Sequence, residues 1–162
     1  MLTVKQNIKF VHGLFNVKRM LVQVIIGDLK PRKNADNSLV ISNMVPGKSP
    51  LAVDSSAEIL LCGDLMDNSI QLFKRKSAHG WELKLRLEGH EDTVSCVAIS
   101  PDQTHAATGG WDGNIIVWNL AGGNQEAKIK CGEYVNCVCW GPDGEIYAGG
   151  KGGSVVKIMR RD

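Results

Sequence analysis

From about Leu51 onward, apolar and polar residues alternate in short stretches separated by glycine, aspartate, asparagine and serine. Alternation with a period of two sets every second side chain on one face of an extended backbone, the mark of a half-buried β-strand. Val94, Cys96 and Ala98 form one such series, and Val135, Cys137 and Cys139 form another. Each runs into a Pro-Asp pair, Pro101-Asp102 or Pro142-Asp143, where proline pre-sets φ and aspartate caps the bend. Asp112-Gly113 and Gly152-Gly153 are hairpin signals, because tight turns between strands need positive φ.

The strands recur. Leu61–Phe73, Ala106–Trp118 and Ile146–Ile158 align without a gap as small residues, a polar turn and an apolar strand. Their turn positions, Asp67, Asp112 and Gly152, lie 45 and 40 residues apart. Upstream, Val94–Asp102 matches Val135–Asp143 at a separation of 41 residues. One unit is therefore strand, Pro-Asp turn, strand, tight turn, strand. Leu83–Leu87 and Ala127–Lys130 are the candidates for a fourth, outer strand. Four strands in about 40–45 residues is the repeat of a β-propeller blade. The units fall at about 50–82, 83–125 and 126–162, after a basic segment, 1–49, that does not match them.

Composition narrows the function. With 43% hydrophobic and 22% charged residues the chain has a globular profile, neither disordered nor membrane-spanning. Its 18 glycines suit a fold rich in tight turns. A net charge of only +2 lacks the global basic excess of a nucleic-acid binder.

The order Gly89-His90, Ser100-Pro101-Asp102, Trp111-Asp112-Gly113, then a strand ending in Trp118, resembles the WD-repeat family. The resemblance runs from roughly Leu51 to Ile158 and is strongest from Leu83 to Leu120. It implies an all-β fold, a partial WD-repeat β-propeller of about three to four four-stranded blades. It also implies a hydrogen-bonded tetrad on His90, Thr108, Asp112 and Trp118. A buried imidazole must satisfy both nitrogens, a turn carboxylate fixes its tautomer, and a hydroxyl links it to the indole N–H. The same His-Asp pairing in a cleft would read as a catalytic dyad; here the structural role is expected. The first unit keeps Asp67 but has Gly63 and Phe73 where the tetrad has Thr and Trp. The third has Ala148, Gly152 and Ile158. Both are expected to rest on sheet packing alone.

By the same resemblance, the residue before the turn aspartate faces the upper rim, where partners dock: Met66, Trp111 and Lys151. The start of the innermost strand faces it too, with Glu91, Asp92, Thr93 and, in the next unit, Tyr134. Trp111 either anchors a partner or packs on the neighbouring blade.

Other motifs lose to blander readings. Pro46-Gly47-Lys48-Ser49 has the tail of a phosphate loop, but Ser42 stands where its first glycine is required. Gly149–Ser154 aligns with a turn, and Gly152–Val156 lacks the closing glycine of a nucleophile elbow. Cys137 and Cys139 share a strand face with no histidine near, a spacing unlike that of zinc ligands. Together with Cys131 they are expected to be buried, reduced thiols. No catalytic residue, metal or cofactor is expected. Lys74-Arg75-Lys76 reads as a basic loop between the first two units, and contact with RNA or phosphate through it is the rival to a solvated face.

Up to Lys33 the chain holds seven Lys or Arg and one acid, Asp28. This suits an amphipathic targeting peptide, or a hairpin of Leu21–Ile26 with Leu39–Ile41 from a worn blade. The expected function is a non-catalytic, cytoplasmic protein–protein interaction scaffold that uses the propeller's top face and loops. It would be similar to the receptor-for-activated-kinase type or to the C-terminal propellers of BEACH-domain proteins. The alternative is a ribosome- or RNA-associated subunit contacting through Lys74, Arg75 and Lys76. Three blades fall short of the usual four to eight or so. A fragment, or a partial propeller completed by a partner or a second copy, follows.

Overall fold

The computed structural model describes residues 23–25, 32–33, 39–42, 49–64, 66–77 and 80–159. Among them every helix or strand assigned is a strand. Three successive sheets carry the fold. The first holds β4 (Leu51–Val53), β5 (Ile59–Gly63), β6 (Ile70–Ser77) and β7 (Gly80–Leu87), in that order. The second holds β8 (Val94–Ile99), β9 (His105–Gly110), β10 (Asn114–Asn119) and β11 (Gln125–Lys130). The third has only β12 (Val135–Trp140), β13 (Ile146–Gly150) and β14 (Val155–Ile158). All of their pairings are antiparallel. Each hydrogen-bonded sheet ends on its outer strand, so β7 and β11 belong with the strands before them, although the sequence units place them at the starts of 83–125 and 126–162.

The sheets pack face to face, as the alternation of their side chains requires. Leu61, Ile70, Leu72 and Leu87 of the first meet Val94, Ala106, Ile116 and Trp118 of the second in one buried cluster. Ile115 of the second meets Val135 and Ala148 of the third in another. Gly109 is required at this second contact, because a Cβ there would come within 2.4 Å of the Val135 side chain and 2.7 Å of Cys96 Sγ. A bulge at Ser95, between Val94 and Cys96, turns that hydroxyl toward the carbonyls of Gly109 and Val135, tying the second sheet to the third.

A smaller sheet precedes these: β1 (Gln23–Ile25), β2 (Arg32–Lys33) and β3 (Leu39–Ser42), in the order β1-β3-β2. The expected hairpin between residues 21–26 and 39–41 is not what forms. β1 runs parallel to β3, whereas β2 pairs with it antiparallel. β2 takes the hairpin side of β3 and leaves β1 the other edge. The Pro46–Lys48 stretch and the targeting-peptide reading of the N-terminus lie outside the described residues.

Two further expectations are corrected. Lys74, Arg75 and Lys76 are exposed but lie within β6, not in a loop. Cys137 and Cys139 are exposed rather than buried, and Cys131 is half-buried. The strand face of Cys137 and Cys139 points away from the second sheet, and no described sheet covers it, whereas Cys131 packs in the cluster between the second and third sheets.

Candidate functional site

The second sheet is closed by a buried polar network. His90 sits between β7 and β8, Thr108 on β9, Asp112 in the β9–β10 turn and Trp118 on β10. His90 Nδ1 lies 3.0 Å from Asp112 Oδ2, and Nε2 lies 2.8 Å from Thr108 Oγ1. Trp118 Nε1 donates to the same hydroxyl at 2.9 Å. With the imidazole proton on Nδ1 the accounting closes. Nδ1–H donates to Asp112, the threonine O–H donates to Nε2, and the indole donates to Oγ1. Asp112 also accepts the N–H of Glu91 at 3.1 Å and that of Asn114 at 3.1 Å.

The electrostatics agree with a neutral imidazole. Burial lowers the His90 pKa, and the neighbouring Asp112 carboxylate offsets this only in part. For Asp112, burial works against the charge, but bonds from the Asn114 side chain and from the Glu91 and Asn114 N–H groups outweigh it and lower its pKa. The His90 side chain is 0% exposed and Thr108 is 0% exposed, so no substrate atom can reach the imidazole–hydroxyl pair. The arrangement is a staple between a loop and a turn.

The other two sheets are stapled differently. In the first, the β5–β6 register pairs Cys62 with Gln71, as Thr108 pairs with Ile116. Cys62 Sγ reaches Gln71 O at 3.9 Å, matching Thr108 Oγ1 to Ile116 O at 3.4 Å. The residue in the threonine's place is thus Cys62, not Gly63. The connecting turn is a residue longer, spanning from Asp64 N–H to Ser69 O at 2.8 Å, and a one-residue slip changes which side chain faces inward. Burial raises the Cys62 pKa. Here Asp64, 2% exposed, accepts from Gln71 Nε2 at 2.9 Å, while Arg86 on β7 reaches Asp67 at 2.8 Å. In the third sheet Glu133, from the loop before β12, accepts the Gly152 N–H at 2.9 Å and approaches Ser154 Oγ at 3.5 Å. The acid comes from the loop instead of the turn. The missing tetrad residues predict that both blades rest on packing alone; instead each carries a polar staple of its own. The legible signal for Glu133 was a turn with no carboxylate of its own; Arg86 and Asp64 gave none.

Three of the rim residues meet. Trp111 N–H bonds to Thr93 O at 2.9 Å and Lys151 N–H to Tyr134 O at 3.0 Å, which places the two turns equivalently. The Trp111 and Tyr134 rings stack across the blade boundary, with centroids 6.0 Å apart and planes 21° from parallel. Lys151 Nζ lies 5.3 Å from the Tyr134 ring centroid. Trp111 therefore packs on the next blade and still remains 47% exposed, with Tyr134 at 46%. Glu91 is drawn to Lys128 at 2.8 Å, and Asp92 accepts the Thr93 N–H at 2.6 Å. Met66 is exposed on the turn of the first sheet. In the basic run, Arg75 bonds to Ala57 O at 3.4 Å and lies 4.0 Å from Glu58. Among the described residues no group of three or more His, Cys, Asp or Glu forms a metal-binding cluster. No described helix is long and apolar enough to cross a membrane.

Comparison with known proteins agrees with the geometry. The family profile described as WD domain, G-beta repeat matches residues 81–119 and 124–157. The rice small ribosomal subunit protein RACK1y is 37% identical over 62 residues, covering 38% of this chain and 18% of that protein. Periodic tryptophan protein 2 of Saccharomyces cerevisiae is 32% identical over 99 residues, 60% of this chain and 10% of that protein. The chain thus spans less than a fifth of the length of either relative. The β-propeller domain of Cps50 (Swd1) from Myceliophteria thermophila superposes with a TM-score of 0.58 at 12% identity, covering 71% of this chain and 39% of that one. Repeat spacing, four-stranded sheets, the buried His–Asp–Thr–Trp staple and these matches converge: residues 81–119 and 124–157 are WD repeats, and the chain folds as a partial β-propeller.

Proposed function

We propose that this chain is a non-catalytic protein-interaction module that docks partners on the rim formed by Trp111, Tyr134 and Lys151. The observation that supports this is the exposed aromatic pair. Two large rings, each nearly half exposed, stack on one another and so present apolar area at low entropic cost. Such rings dominate interface energetics when a partner covers them. Met66, Glu91, Asp92 and Thr93 flank this surface and belong to the same reading. A pull-down with wild type and Trp111→Ala tests it. Loss of a specific protein partner at unchanged thermal stability is expected; retention of every partner would sink the reading.

A second reading has its own support. RACK1 relatives are named as small ribosomal subunit proteins, and Lys74, Arg75 and Lys76 are exposed on one strand. Ribosome or RNA contact through this basic strand, in the cytoplasm, gives salt-sensitive co-sedimentation that is lost when the three residues are replaced by Glu. Indifference to that replacement rejects it. Self-association through the uncovered face of the third sheet is compatible with either reading, and Cys137 and Cys139 are its natural reporters.

A further inference from the structure

The second blade has a described sheet packed on each of its faces, so what its rim exposes is not waiting for a neighbouring blade. That rim carries Trp111. Tyr134 covers one face of the indole, yet the residue remains 47% exposed, and its opposite face is open. The repeat shows what is different there. Thr93 and Tyr134 hold equivalent places, each just before an inner strand. The Thr93 carbonyl accepts the Trp111 N–H at 2.9 Å, and the Tyr134 carbonyl accepts the Lys151 N–H at 3.0 Å. In the third blade the turn supplies a cation and the strand start a ring, and Lys151 lies over Tyr134. In the second blade the turn supplies the ring and the strand start only the small Thr93. No described Lys or Arg lies over the indole.

The charge beside this open face is one-sided. The loop that ends at Thr93 carries Glu88, Glu91 and Asp92, all exposed. Glu91 is already answered by Lys128 at 2.8 Å. Asp112 is held inside the staple by His90 and by the Glu91 and Asn114 N–H groups. Asp92 is different. Its Oδ1 accepts the Thr93 N–H at 2.6 Å, and its Oδ2 has no described partner. No described cation comes within ion-pair distance of Asp92 or Glu88. Unanswered carboxylates next to an open aromatic face favour a cation and repel an acid. Arginine suits the place better than lysine, because its planar guanidinium stacks on a ring and still presents N–H groups to a carboxylate.

We propose that the rim of the second blade receives an arginine from a basic segment of a partner protein. The guanidinium stacks on the open face of Trp111 and donates to Asp92 Oδ2, while an apolar neighbour in the segment covers the indole edge. This rests on the reading of Trp111 as a docking residue and adds the chemistry of what docks.

The test uses the whole chain and a short peptide with one arginine between two leucines. Binding is followed by the indole N–H resonance of Trp111, which Trp111→Phe identifies. A saturable shift is expected, weakening as salt is added. Citrulline in place of the arginine keeps the shape and removes the charge, and is expected to weaken binding about tenfold. Asp92→Asn keeps an acceptor for the Thr93 N–H and is expected to weaken it about threefold. No shift, equal binding of the citrulline peptide or of one with glutamate instead, or unchanged binding by Asp92→Asn would each overturn the proposal. The docking reading is judged apart from it. A protein partner lost on Trp111→Ala but kept on Asp92→Asn leaves the rim standing and removes the arginine.

Discussion

The second and third blades are built from the same repeat, yet they meet water differently. Cys96 and Cys137 occupy equivalent places at the start of the inner strand, each beside the first glycine of the Gly-Gly pair, Gly109 or Gly149. Cys96 is half-buried against the third sheet, and Cys137 is exposed. One side chain is covered because a blade follows it; the other is bare because no described blade does. The neighbouring positions differ in chemistry too. Where the second blade turns Ala107 and Val117 toward the next sheet, the third carries Tyr147 and Lys157. Lysine over tyrosine is a face that tolerates water. The lesson is that repeat equivalence fixes a residue's direction, while its burial depends on what stands opposite.

The sharpest break of this comparison is kinetic. In this chain, folded, the exposed Cys137 and Cys139 are expected to react with a thiol reagent first. Cys96 should be slow, with its pKa pushed up to about 11 by burial, and Cys62 should react only on unfolding. Mass spectrometry of the labelled protein reads the order. If Cys137 is as slow as Cys96, the third blade's outer face is covered in solution.

Next in size is the equivalent pair at the end of the third strand. Trp118 is 1% exposed, so Trp118→Ala is expected to cost about 3–5 kcal/mol. Ile158 stands in its place but is only half-buried, and Ile158→Ala is expected to cost about 1–2 kcal/mol. Urea unfolding measures both. Equal costs would show that the staple adds nothing to the second blade.

Acid separates the blades as well. Burial lowers the His90 pKa below its ordinary value of 6.5, so the unfolded chain binds this proton more readily than the folded one. The stabilisation is complete above about pH 6.5 and is lost as the pH falls through the folded value. Asp112, lowered from 3.8, adds a loss at still lower pH by the same logic. Thermal midpoints of wild type and His90→Gln are expected to converge between pH 7 and 5. A constant gap would place the imidazole outside the network.

The smallest effect favours the third blade. Gln103 holds φ at 61° in the Pro-Asp turn, a left-handed conformation that costs an L-residue energy. Gly144 takes the equivalent place with φ 81°. Gln103→Gly is expected to stabilise by about 0.5–1 kcal/mol, visible as a higher urea midpoint.

Much of the second blade was legible beforehand. The family resemblance assigns the tetrad to His90, Thr108, Asp112 and Trp118, and the structure brings all four together. The first blade was less so, because one added turn residue slid Cys62 into the place assigned to Gly63. Local sequence counts residues, whereas strand register counts hydrogen bonds. The stacked pair Trp111 and Tyr134 was visible only as two separate rim positions, since contact across a blade boundary depends on how the sheets pack. Arg86, Asp64 and Glu133 replaced the tetrad through contacts that no spacing announces.

From Leu51 onward the sequence by itself determined the repeat and the inner strands of each unit. Period-two alternation, Pro-Asp bends and Asp-Gly turns are local preferences that act whatever the surroundings. Only the tertiary structure decided which faces are covered, that Cys137 and Cys139 are exposed in this chain, and that Lys74–Lys76 lie on a strand. Those outcomes depend on what packs against each element, and packing is a property of pairs of surfaces rather than of any one stretch of chain.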